Sequence, residues 1–346
     1  MMSPMRENLK SYQTLIIFKK DSVKLFKFIV FGILSIITSS LYAEYLNFNL
    51  EKGYFKHSTL SPNKKFLLVP GHSPSIPKLY NLETGQLHGE LEWCERPFFS
   101  QDSTAIFAAV GQEVDRYEIL GDEVIKVDSM TLKNRDFSPL FETSYIQTNE
   151  IITRLGTKKD HRDGIFISTL SEKKKIGIKE LSAKKIQFII HLTKACTLSH
   201  DALHAAIVCD KTTTGHFYVH VIDTKKRTTT HTYQLNRQSP WHSVNSINFS
   251  PDKNKLILTA QYPDYSSKPE VYAYWVIILD LQTDESSWFK QEHQVEFADF
   301  INNSIILMIF NDGSVRYQEL TPENLAQNRV SDENRFNVID DPARCP

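Results

Sequence analysis

The histidine-bearing stretches are the places where this sequence could do chemistry. His161-Arg162-Asp163 has the form of a kinase catalytic loop, in which the Asp takes a hydroxyl proton. That loop needs an Asn five residues on, and Ser168 stands there; no Gly-rich phosphate loop accompanies it. A charged hairpin loop is the expectation. Gly71-His72-Ser73-Pro74-Ser75 opens like a nucleophile elbow but lacks the final Gly and has no helix after it. His216 and His220 lie four apart on a predicted strand, hence on one face. His200 and His204 share that spacing across or beside a turn. No carboxylate or Cys is spaced to complete a metal site with either pair, so these histidines are expected to be solvated at strand edges. The reading assigns no catalytic residue, no metal ligand and no cofactor.

The cysteines Cys94, Cys196, Cys209 and Cys345 contain no Cys-x-x-Cys spacing, so neither a zinc site nor a redox motif is implied. Cys196 and Cys209, on the arms of a hairpin turning near residues 199–202, fall about four residues out of step. At ~3.3 Å per residue that offset exceeds the reach of a disulfide.

Elements that could position such residues repeat along the chain. Thr59-Leu60-Ser61-Pro62-Asn63, Phe98-Phe99-Ser100-Gln101-Asp102, Thr197-Leu198-Ser199-His200-Asp201 and Asn248-Phe249-Ser250-Pro251-Asp252 each join apolar runs through a Ser-containing turn. Ile146-Gln147-Thr148-Asn149-Glu150 and Asp299-Phe300-Ile301-Asn302-Asn303 are copies without the Ser. The residues just before the turns are 60, 99, 147, 198, 249 and 300, giving spacings of 39, 48, 51, 51 and 51. Within each period a second hairpin is legible, turning at Glu83-Thr84-Gly85, Gly121-Asp122, near residues 171–173, at Asp223-Thr224-Lys225, Gln282-Thr283-Asp284 and Asn311-Asp312-Gly313. A unit of four short strands with a 40–50-residue period is how a propeller blade reads. The composition agrees: 41% apolar and 11% aromatic residues, with 21 Phe and 14 Tyr, suit half-buried strands.

Phe249-Ser250-Pro251-Asp252, Leu256-Ile257-Leu258-Thr259 and Ile278-Leu279-Asp280-Leu281-Gln282-Thr283 together resemble the repeat of TolB-type and WD40-like β-propellers. Leu60-Ser61-Pro62-Asn63 with Leu79-Tyr80-Asn81-Leu82-Glu83-Thr84-Gly85 is similar to it, and the Trp-Asp end of WD40 repeats is missing. The resemblance spans most of residues 57–320 and implies an all-β chain, a single propeller of six four-stranded blades, with seven as the alternative. The sixth unit is one strand short. Tyr45-Leu46-Asn47-Phe48-Asn49-Leu50, ahead of the first unit, could supply that strand and close the ring.

The expected organisation is an export signal over residues 1–43, the propeller over 44–320 and an irregular tail over 321–346. Arg6, Lys10, Lys19, Lys20, Lys24 and Lys27 precede the uncharged run 28–43, which ends in small residues and Ala43. A helix of that run would rise about 24 Å, short of a hydrocarbon core of ~30 Å. Cleavage after Ala43 and a periplasmic or secreted protein are expected, with an uncleaved inner-membrane anchor as the alternative. A whole-chain balance of 40 basic against 41 acidic residues argues against nucleic-acid binding.

In a four-stranded blade the turns after the first and third strands leave one face, and the remaining connections leave the other. The long connections 70–77, 157–164, 211–216 and 261–270, with 236–243, all fall on the second kind. Trp241, Tyr262, Tyr265, Asp264, His72, His161 and Arg162 lie there and are the expected protein-binding residues, since loops on a rigid scaffold and their aromatic residues carry recognition. The expected function is a non-enzymatic scaffold or accessory part of a cell-envelope assembly, with other envelope or secreted proteins as partners. Contact with a membrane is expected only through a retained N-terminal segment. A propeller hydrolase or lyase, or a small-ligand or glycan sensor at the axial channel mouth, is the alternative.

Overall fold

The computed structural model describes residues 47–51, 55–71, 76–94, 96–110, 113–121, 123–131, 141–148, 151–157, 165–171, 178–180, 192–199, 201, 203–211, 216–226, 228–235, 243–264, 271–329 and 336–338. Its strands begin with β1 (Phe48–Asn49) and then form hairpin-connected sheets in chain order. The first sheet contains β2 (Thr59–Leu60), β3 (Phe66–Val69), β4 (Lys78–Asn81) and β5 (Leu87–Glu90). The second contains β6 (Arg96–Phe99), β7 (Ala105–Val110), β8 (Glu113–Leu120) and β9 (Glu123–Thr131). The third contains β10 (Phe141–Thr148), β11 (Ile151–Thr157), β12 (Ile165–Ser171) and β13 (Ile178–Glu180). The fourth is built from β14 (Leu192–Leu198), β15 (His204–Lys211), β16 (His216–Asp223) and β17 (Thr228–Leu235). The fifth is built from β18 (Ser243–Phe249), β19 (Lys255–Asp264), β20 (Val271–Asp280) and β21 (Ser286–Gln291). The last takes β22 (Val295–Asn302), β23 (Ile305–Phe310) and β24 (Ser314–Glu319) from the end of the chain and β1 from the start. All of this pairing is antiparallel, and among the described residues it makes six sheets.

The repeated turns form because their side chains satisfy their own backbone. Ser61, Ser100, Ser199 and Ser250 each donate a hydroxyl to the Asn or Asp two residues on, at 2.7, 2.6, 2.7 and 2.6 Å. Each serine oxygen also accepts the N–H that opens the next strand, from Phe66, Ala105, His204 and Lys255, at 2.9 Å. The Asn or Asp accepts a further backbone N–H at 3.1 Å, from Lys65, Thr104, Leu203 and Asn254. These bonds hold Lys64, Ser103 and Lys253 at φ of 58°, 64° and 65°, a left-handed conformation that costs a non-glycine residue about 1 kcal/mol. In the second hairpins Asn81, Asp223 and Asp280 do similar work through Oδ1, accepting N–H groups from Glu83, Lys226 and Gln282.

Apolar faces meet between sheets. Leu68, Leu79, Ile106 and Ala108 fill the space between the first two sheets. Val208, Val219, Val221, Leu256, Leu258 and Ile277 join the fourth to the fifth. Ile257, Val276, Ile306 and Met308 join the fifth to the last. Leu256, Ile257, Leu258, Ile306 and Leu307 are fully buried, so the second strands are covered on both faces and read as continuous apolar runs. First strands pack on first strands, with β14 against β10 and β18, and β18 against β22.

β1 pairs with β24, Phe48 opposite Val315, and the Leu50 N–H donates to Gly313 O at 2.8 Å. The strand expected from residues 45–50 does complete the last sheet. Phe48 also lies 2.8 Å from where a Cβ on Gly85 would stand, so β1 meets the turn of the first sheet as well.

The tail departs from the irregular arm that was expected. Helix α1 (Pro322–Gln327) is capped by Thr321, whose oxygen accepts the Asn324 N–H at 3.1 Å. β25 (Phe336–Val338) then adds a fifth strand outside β17. The cysteine offset is also smaller than expected. Cys196 stands opposite Ile207 and Cys209 opposite Thr193, because the hairpin register sets Leu198 opposite Ala205; the bulge between Thr193 and Ala195 adds one residue back to the offset. Among the described residues no helix is long and apolar enough to cross a membrane. Residues 1–43 lie outside those described.

Candidate functional site

Hairpin order puts the turns after first and third strands at one end of each sheet and the other connections at the opposite end. At the turn end the longest connection is 172–177, and charged groups there are matched across sheets. The Lys64 ammonium lies 3.4 Å from Asp299 Oδ2, both side chains 11% exposed. Asn248 Nδ2 donates to Ala298 O at 2.8 Å, and Thr197 Oγ1 donates to Asn248 Oδ1 at 3.4 Å. Lys253 pairs with Asp201. Burial opposes ionisation of Asp201, but the Lys253 ammonium, the Ser199 hydroxyl and the Leu203 N–H hold its carboxyl down at about 2. This end is a structural clamp.

The opposite end carries 70–77, 132–140, 158–164, 181–191, 236–242 and 265–270. Here the first strands begin, and a bulge recurs between Phe141 and Thr143, Thr193 and Ala195, Val244 and Ser246, and Val295 and Phe297. The bulged positions are Glu142, Lys194, Asn245 and Glu296, every one polar. Asn245 is buried and donates through Nδ2 to Val295 O at 3.3 Å, while accepting the Ser243 hydroxyl at 3.1 Å. Gln294 Nε2 donates to Glu296 Oε1 at 2.6 Å. Burial pushes the Glu296 carboxyl above its ordinary value, against the pull of the Lys56 charge. Asn245 and Gln294 supply hydrogen bonds here, and burial makes the Glu296 carboxyl easier to protonate than an ordinary one. Sequence reasoning missed them. Their signal was a polar residue four positions ahead of the repeat anchors 198, 249 and 300.

Among the expected binding residues, Tyr262 and Asp264 lie in a strand rather than in a loop. β19 runs through Asp264, with Tyr262 opposite Ala273 and Asp264 opposite Val271, so the expected loop 261–270 shrinks to 265–270. Pro263 is tolerated there because β18 begins level with Gln261, so among the described residues that end of β19 has a neighbour on one side only. Both residues thus belong to a hairpin that outruns its sheet at the long-loop end. Trp241, Tyr265, His72, His161 and Arg162 lie outside the described residues.

The histidine pairs resolve differently from the expectation. His220 is buried rather than solvated, 3% exposed, with Nδ1 3.2 Å from Thr232 Oγ1, and burial lowers it to about 4. His216 opens β16 opposite Lys211, and His204 opens β15 with its ring 6.5 Å from that of Phe249. Among the described residues no three His, Cys, Asp or Glu side chains converge as a metal site would require.

No protein-family model matches the chain, and no curated protein matches it. Solved structures do. Hydrazine synthase of Kuenenia stuttgartiensis is similar at a TM-score of 0.53 and 11% identity, over 86% of this chain and 90% of that one. The β-propeller domain of Cps50 (Swd1) from Myceliophteria thermophila is similar at a TM-score of 0.44 and 9% identity, over 79% of this chain and 98% of that one. A chain of the mitotic checkpoint complex gives a TM-score of 0.46 at 11% identity, over 79% of this chain and 90% of that one. Hairpin-connected antiparallel sheets joined through their first strands and closed by an N-terminal strand, together with the likeness to hydrazine synthase, identify the fold as a β-propeller.

Proposed function

We propose that the chain is an exported, non-enzymatic propeller of six blades, TolB-like in its repeat, which binds other envelope or secreted proteins through its long-loop face. It serves as a scaffold or accessory part of a cell-envelope assembly. The observation that carries the reading is the asymmetry between the two ends. At the turn end Lys64–Asp299 and Lys253–Asp201 join one sheet to another, whereas the long connections and the protruding β19–β20 hairpin gather at the other end. Aromatic residues on such elements bury large areas with few rotors, so truncating an anchor typically costs over ~2 kcal/mol of binding. Replacing Trp241, Tyr262 and Tyr265 with Ala should abolish partner capture from envelope fractions and leave thermal unfolding nearly unchanged. Capture that survives the triple change, or that is lost only on altering the turn end, refutes the mapping. Export is tested by N-terminal sequencing of the mature protein, expected to start at Glu44.

A second reading, a small-ligand sensor at the channel mouth, draws on Glu296, Asn245 and Lys56. Its test is Glu296→Gln: a ligand that binds wild type and the variant equally removes the carboxyl from recognition.

A further inference from the structure

The C-terminal strand occupies a particular kind of place. β25 pairs antiparallel with the outer edge of β17, Phe336 opposite Leu235, Asn337 opposite Gln234 and Val338 opposite Tyr233. Among the described residues β25 faces three residues of β17. A bulge at Thr230, set between Val221–His231 and Ile222–Thr229, ends the regular edge, which runs from His231 to Leu235. Among the described residues no strand pairs with the outer side of His231 or Thr232. An outer edge offers a row of N–H and C=O groups that template another strand.

After Val338 come Ile339-Asp340-Asp341-Pro342, and a proline has no N–H for a ladder. An antiparallel strand on this edge points its C-terminal end towards the turn before β17, where Lys225 and Lys226 are exposed. That turn favours acidic residues after the paired stretch, the order found in Phe336-Asn337-Val338-Ile339-Asp340-Asp341. The start of the tail is anchored elsewhere. The Trp288 N–H donates to Asn328 O at 2.8 Å, Ser287 Oγ donates to Leu325 O at 3.0 Å, and Arg329 Nη2 lies 2.7 Å from Glu285 Oε2. A strand tethered so close gains a high effective concentration at its site.

We propose that the outer edge of β17 is a strand-acceptor site for an extended protein segment of apolar–polar–apolar pattern followed by acidic residues, and that Phe336–Val338 hold it in cis as a displaceable latch. This extends the protein-binding reading to a second surface with a defined partner chemistry. The test is fluorescence anisotropy with a fluorescein-labelled peptide of residues 333–341, titrated with three proteins: the full chain, the chain ending at Asp332, and the full chain carrying Val338→Pro. Saturable binding to the truncated and Val338→Pro proteins is expected, at least tenfold tighter than to the full chain. A peptide carrying the same proline should not bind. Equal binding to all three proteins, or to none, overturns the proposal. Loss of the fold in both altered proteins also overturns it, since the strand is then structural and not displaceable. A dimer of the full chain that truncation dissociates assigns the strand to a second copy and overturns occupancy in cis. Alanine at Trp241, Tyr262 and Tyr265 should leave peptide binding unchanged, so failure of the latch and failure of the long-loop reading are separable.

Discussion

Replacing Gly313 with Ala should unfasten the N-terminal strand from the last sheet. Gly313 sits at φ +87° in the turn between β23 and β24, and a Cβ there would stand 2.6 Å from Leu50 O. That oxygen belongs to the backbone and cannot swing away like the end of a side chain. Left-handed strain costs about 1–2 kcal/mol. Displacing Leu50 also loses the 2.8 Å bond from its N–H to Gly313 O, worth about 1 kcal/mol. The Phe55 ring, only 2% exposed and 3.5 Å from the added carbon, must move too. The total is about 2–4 kcal/mol. Gly121 provides the control. It lies at φ +61° with nothing within 4 Å of a Cβ, so Gly121→Ala should cost the strain alone, about 1 kcal/mol. Urea unfolding followed by tryptophan fluorescence measures both, and a lowered slope in the Gly313 variant would report that β1 has already detached. If the two variants lie within about 0.5 kcal/mol of each other, β1 does not clamp the ring as argued.

Other expectations follow from buried charge. Unfolded His220 takes a proton near 6.5, whereas the buried ring resists until about 4, so stability should fall as pH drops through that window, by at most about 3 kcal/mol. His220→Phe should flatten the dependence in urea melts at pH 7, 5.5 and 4.5; an unchanged slope removes His220 as its source. Asp201 works at lower pH. Its folded value of about 2 means that its contribution is complete above the ordinary carboxylate range and fades as pH falls towards 2, and Asp201→Asn should cost about 1 kcal/mol in the same assay at pH 7. Ser250→Ala removes an acceptor and a donor from the turn before β19 and should cost about 1–2 kcal/mol, where a loss under 0.3 would make the repeated serine ornamental.

The turn end was legible because its chemistry is local. Ser250, Asp252 and the N–H of Lys255 lie within six residues, so the bonding pattern is written in consecutive letters and recurs wherever the letters do. Closure by residues 45–50 was legible for a different reason, since the last unit lacked a strand and only one alternating segment remained to supply it. What escaped depends on distant neighbours. Whether Tyr262 is loop or strand depends on how far β20 reaches back, and Pro263 disguised the answer. The burial of His220 depends on the sheets either side of it, while its spacing from His216 suggested only a shared face. β25 is three residues long, and so short a strand exists only because β17 offers an edge.

That contrast separates the two ends of the sheets by how their side chains are used. A turn whose side chains saturate their own backbone and then pair with the adjoining sheet leaves few groups to offer a partner. It recurs four times because each copy answers the same local problem. Asn248, Asp299 and Asp201 are spent in this way. At the other end the recurring feature is a bulge, which disrupts a ladder locally and re-aims the side chain at that point. The residues at those bulges differ from sheet to sheet, running Glu142, Lys194, Asn245 and Glu296. On the proposed protein-binding reading, a shared backbone device carrying unlike residues would let one end vary in recognition while the other keeps the sheets together.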